Sequence, residues 1–129
     1  MTHSIAQAAE RSGLSIDTLR YYERIGLVDP PARDSGGRRT YSDEDLARLG
    51  FLTKLRTTGM PIRMMRQYAR ARRSGVAGPA LCKQILVEHR ASVRARIAEL
   101  RSSLDVLDHK IDNYSQIERD ASAAEGRTA

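Results

Sequence analysis

From Leu86 to Tyr114 the chain carries Leu86, Arg90, Val93, Ile97, Leu100, Leu104, Leu107, Ile111 and Tyr114, at steps that alternate four and three. No Gly or Pro interrupts residues 80 to 125. That spacing is a coiled-coil seam of four heptads, broken only by Arg90. At about 1.5 Å per residue it runs roughly 43 Å. An apolar stripe of this length does not stay in water. Its expected cover is the same stripe of a second chain, with Leu86, Val93, Ile97, Leu100, Leu104, Leu107 and Ile111 as dimer contacts. The alternative is packing back on the chain's own first part. The spacing does not choose between parallel and antiparallel strands.

What precedes the seam is too small for a large core of its own. The chain has 129 residues, no Trp and 5% aromatic residues, which fits one small domain with a dimerisation element. The stretch Gly75-Val76-Ala77-Gly78-Pro79 reads as a linker. The expected division is a first domain over 1–73, a linker and coiled-coil helix over 74–118, and a small, polar, disordered tail over 119–129. No apolar run reaches the roughly 20 residues of a membrane span, and the N-terminus lacks a signal pattern. The expected location is the cytoplasm, with no membrane partner.

Charge separates the two parts. Residues 1 to 76 hold 14 Lys/Arg against 8 Asp/Glu, a net +6, and residues 77 to 129 hold 8 of each. A basic half on a neutral half points to an anionic partner for the first, and nucleic acid is the first candidate. Within it, Ile5, Ala8 and Ala9 mark a short helix stopped at Gly13. Ser15 caps a second helix, with Asp17 in its first turn and Gly26 after its end. Two such helices around a glycine turn are a helix-turn-helix pattern. Pro30, Pro31 and the Asp34–Gly37 turn then break into a small hairpin. Ser42 with Asp45 opens a third helix, with its apolar stripe at Leu46, Leu49, Leu52 and Leu55. Gly59 ends that helix and Pro61 starts a fourth.

The helix-turn-helix and hairpin bring one chemistry twice. Arg20, Tyr21 and Arg24 lie on the second helix, whose N-terminal end would enter a major groove with Thr18 nearest the bases. Arg38, Arg39 and Tyr41 lie on the hairpin, placed as a wing along backbone or minor groove. Arginine forks and tyrosine hydroxyls suit phosphate oxygens. The competing account is a solvated basic face with core tyrosines, core packing being as good a reading of Tyr22. Lys54 beside Arg56 is a further candidate phosphate contact, or a solvated lysine. Asp17 reads better as a helix-start residue than as a base contact.

The segments "LRYYERIGL", "RRTYS" and "DLARL…LR…G", in this order and spacing, resemble the winged-helix DNA-binding domain of the MerR family of transcription regulators. The resemblance spans residues 4 to about 73. It implies a mainly α winged helix-turn-helix with a small β-hairpin wing, followed by a long helix that pairs antiparallel in a homodimer. It also implies action on double-stranded promoter DNA: the dimer would bind an over-long promoter spacer and distort it so that RNA polymerase engages both promoter elements.

The signal is harder to read. Metal-sensing members resemble each other in having at least two cysteines near the dimer interface, and this chain has only Cys82. Multidrug-sensing members carry a large ligand domain after the coiled coil, for which the residues after Tyr114 leave no room. The chain looks closest to the short AdhR/NmlR-like branch, yet Lys54 stands where that branch has its sensor cysteine. Cys82, beside Lys83 near a helix start, is the candidate substitute sensor, with small apolar packing as the plainer account. Met60, Met64 and Met65 are core filler or the lining of an adaptable pocket for a small-molecule effector. His3, His89 and His109 are scattered, so no metal is expected, and no cofactor. No catalytic set is apparent. The rival functions are a ligand-independent repressor or DNA-bending protein, and a coiled-coil interaction protein with an incidental basic face.

Overall fold

The computed structural model describes residues 1–128. In chain order the elements are β1 (Thr2–Ser4), α1 (Ile5–Ser12), α2 (Ile16–Arg24), β2 (Ala32–Arg33), β3 (Arg39–Ser42), α3 (Asp43–Thr57), α4 (Ile62–Arg72), a 3-10 turn (Gly75–Ala77) and α5 (Gly78–Thr128). They form two compact units, Met1–His89 and the chain from Arg90 onward.

Side-chain caps start the first three helices. The Ser4 hydroxyl accepts from the Gln7 N–H while the Gln7 side chain accepts from the Ser4 N–H. Ser42 and Asp45 make the same reciprocal pair at α3. Ser15 caps α2 through the Thr18 N–H. Each satisfies donors that a helix start leaves unpaired. The chain leaves α2 through Gly26 at φ 81°, a left-handed turn that suits glycine.

The expected hairpin gains a third strand. The sheet order is β1-β3-β2, antiparallel, with His3 opposite Tyr41 and Ala32 opposite Thr40. Three residues, Thr2-His3-Ser4, are too few to show alternation in a sequence. The register turns His3 and Tyr41 inward, to 4% and 3% exposure. His3 Nε2 donates to Asp43 Oδ1 at 2.8 Å, tying β1 to the start of α3. The core of this unit is built on Leu19, Tyr22, Leu27, Leu49 and Met65. Met60 is also buried and Met64 packs against the cluster, so the methionines are core rather than pocket lining.

Two boundaries differ from expectation. The first unit does not stop at residue 73: Ile85 and Leu86 pack on its core. Leu86 is therefore a contact of the first unit, not a free seam position. A Cβ on Gly78 would lie 2.7 Å from the Ala71 carbonyl oxygen, so the close approach that starts α5 requires glycine there. At the other end, helix continues to Thr128 through the segment expected to be disordered; residue 129 lies outside the described residues. Its alanines favour helix. Gln116 also bonds Asp120, and Arg119 bonds Gln116, one turn apart. The seam stands exposed: Ile97, Leu100, Leu104, Leu107 and Ile111 lie between 43% and 60%, and Val93 is half-buried. Among the described residues no helix is long and apolar enough to cross a membrane.

Candidate nucleic-acid interface

The start of α2 is organised by its cap. Thr18 is half-buried, and its Oγ1 accepts from the Ser15 hydroxyl at 2.9 Å, which leaves the threonine's own O–H to donate outward. Asp17 is exposed in the first turn, where the helix dipole favours a carboxylate. Arg20 is exposed with no hydrogen-bond or ion-pair partner among the described residues. Tyr21 is exposed, and the Arg24 guanidinium sits 5.6 Å from its ring centre, a cation–π stack that orders both. Tyr22 faces the other way. It is 1% exposed, and its hydroxyl accepts from Arg56 at 3.3 Å.

The wing turn is held by Asp34, whose Oδ1 accepts from the N–H groups of Gly36 and Arg38, both at 2.9 Å. Arg33 donates to the Gly37 carbonyl at 2.7 Å. The Arg38 side chain is exposed and has no partner among the described residues. Arg39 differs. Its Nε donates to Glu23 Oε1 at 2.9 Å, and Nη2 reaches Oε2 at 3.4 Å. The Glu23 carboxylate raises the Arg39 pKa further above its ordinary value. Tyr41 is core, and burial pushes its hydroxyl above the usual range. Of the expected contacts, then, Arg39 and Tyr41 are committed within the fold. Arg39 with Glu23 is a latch joining wing to α2. Glu23 had been missed, because nothing in sequence spacing says that residues 16 apart meet.

Lys54 is exposed in the last turn of α3, without a side-chain partner among the described residues. The Thr58 hydroxyl caps this end, donating to the Lys54 carbonyl at 2.7 Å and bonded to His89 Nε2 at 2.8 Å. Arg63, Arg66 and Arg70 had not been singled out. They lie exposed at three- and four-residue steps on one face of α4, with no carboxylate partner among the described residues. The signal was present as period, but only the apolar face of that helix was read. Arg72 and Arg73 are not free: both donate to Asp29, at 3.0 and 2.7 Å, and hold its carboxyl below the usual carboxylate range, led by the Arg72 hydrogen bond. Cys82 is half-buried with its Sγ 3.9 Å from the Tyr68 carbonyl oxygen, a packing position in the first unit. Among the described residues no cluster of His, Cys, Asp or Glu could hold a metal ion.

The family described as "MerR HTH family regulatory protein" matches residues 3–72, and "MerR, DNA binding" matches residues 46–110. The uncharacterized HTH-type transcriptional regulator YyaN of Bacillus subtilis is 32% identical over 129 residues, covering 91% of this chain and 94% of the relative. A crystal structure of a MerR family regulator from Listeria monocytogenes is 38% identical with a TM-score of 0.82, over 88% of this chain and 86% of that one. HiNmlR, a MerR family regulator lacking the sensor domain and bound to promoter DNA, is 34% identical with a TM-score of 0.82, over 90% of this chain and 92% of that one.

Proposed function

Because the chain belongs to the MerR family of DNA-binding helix-turn-helix regulators, we propose that it occupies a promoter as a homodimer, in the cytoplasm at the nucleoid, and remodels the spacer between the two promoter elements for RNA polymerase. One observation carries this reading. HiNmlR, alike over nine-tenths of this chain, is bound to promoter DNA, and here Arg20 and Arg38 stand unpaired on two elements latched together by Glu23 and Arg39. Fixed relative to each other, α2 and the wing can hold phosphates on both sides of a groove and resist its relaxation, which is how protein contacts keep DNA distorted. The exposed stripe from Ile97 to Ile111 supports pairing through the long helix.

The test is a footprint of the purified protein on the promoter upstream of its own gene and on the neighbouring one. Protection of an over-long spacer with hypersensitive cuts at its centre is expected. Protection elsewhere without distortion would leave a protein that blocks rather than remodels.

A further inference from the structure

Between α3, α4 and the loop from α2 to β2 lies a cavity of about 320 Å³. That is within the range of small-molecule sites. Its walls are mainly apolar, among them Val28, Pro31, Ala47, Leu52, Phe51 and Tyr68. Phe51 and Tyr68 meet at 5.7 Å between ring centres, tilted by 52°, and give it an aromatic wall. The Tyr68 hydroxyl has no partner among the described residues.

The charged groups of the lining are already matched. Asp29 accepts from Arg72 and Arg73, Glu44 from Arg48 at 2.7 Å, and Asp45 from the Ser42 N–H. An ionic ligand would have to compete with these existing partners. A neutral ligand keeps all of them. We propose that this cavity binds a small, neutral, largely apolar molecule, stacked on Phe51 and Tyr68 and hydrogen-bonded to the Tyr68 hydroxyl.

The place matters because one wall, from Leu27 to Pro31, is the chain that links α2 to the wing. A molecule seated there touches the connection between the two DNA-facing elements. It would act within the DNA-binding unit, independently of any thiol. That regulatory consequence rests on the proposed function; the binding itself does not.

The full chain is titrated, without DNA, with indole and 2-naphthol as neutral probes and with benzoate and benzylamine as charged ones. The neutral probes are expected to bind at least about tenfold more tightly. Ala47→Phe fills the mouth from an exposed position and should abolish their binding; Tyr68→Phe keeps the ring and should weaken it severalfold. Equal affinity for charged probes, or binding unchanged in Ala47→Phe, overturns the proposal. So does a loss of self-association in Ala47→Phe by sedimentation, which would make the cavity a contact with a second copy. The footprint without probe tests the DNA-binding reading separately, so the two can fail independently.

Discussion

Arg38 and Arg39 are neighbours in sequence and opposites in environment. Arg38 has only solvent to face, while Arg39 is held by a half-buried carboxylate. Arg38→Ala should weaken binding to all duplex sequences and reduce the slope of log affinity against log salt by about one, as loss of one phosphate contact does. Arg39→Ala should act through position instead. Its effect and that of Glu23→Gln should be far from additive in a double-mutant cycle, because each alone breaks the same latch. Additive losses would show that Arg39 works without Glu23. Asp29 permits a pH statement. Its pKa is lowered in the fold, so its contribution is full above the unfolded carboxylate value near 4 and is lost as pH falls through the lower folded value. Asp29→Asn should be less stable at neutral pH and show a flatter acid limb in denaturant titrations.

At the scale of elements, the start of α5 is fixed by a glycine with no room to spare. Gly78→Ala should destabilise the first unit by about 1–3 kcal/mol in chemical unfolding, as overpacking against backbone does. Farther along, Leu100→Asp puts charge into an exposed apolar stripe and, on the proposed homodimer reading, should lower the sedimenting species to monomer. Much at this scale was legible in the sequence, because it is written in local chemistry. Ser15, Ser42 with Asp45, Gly26 and Gly59 mark helix ends by mechanisms that need no partner elsewhere. The third strand was not legible, since β1 exists only by its pairing with β3. Nor was the shared identity of Leu86, whose heptad position fits a seam while its side chain meets the first unit's core. The extension of α5 to Thr128 was not legible either: small polar residues suggest disorder, yet alanine favours helix.

For the whole molecule, charge placement was readable at once and charge availability was not. The first 76 residues hold all of the net +6. Intramolecular pairing engages Arg39, Arg48, Arg72 and Arg73, while Arg20, Arg38, Lys54 and Arg63, Arg66 and Arg70 of α4 have no ion-pair partner among the described residues. Three-dimensional pairing of distant residues decides that sorting. One more joint has a consequence of its own. The Thr58 hydroxyl lies within hydrogen-bonding distance of the Lys54 and Leu55 carbonyl oxygens and of His89 Nε2. One side chain thus closes the end of α3 and ties it to α5, so a change at residue 58 would loosen the helix end and its attachment together.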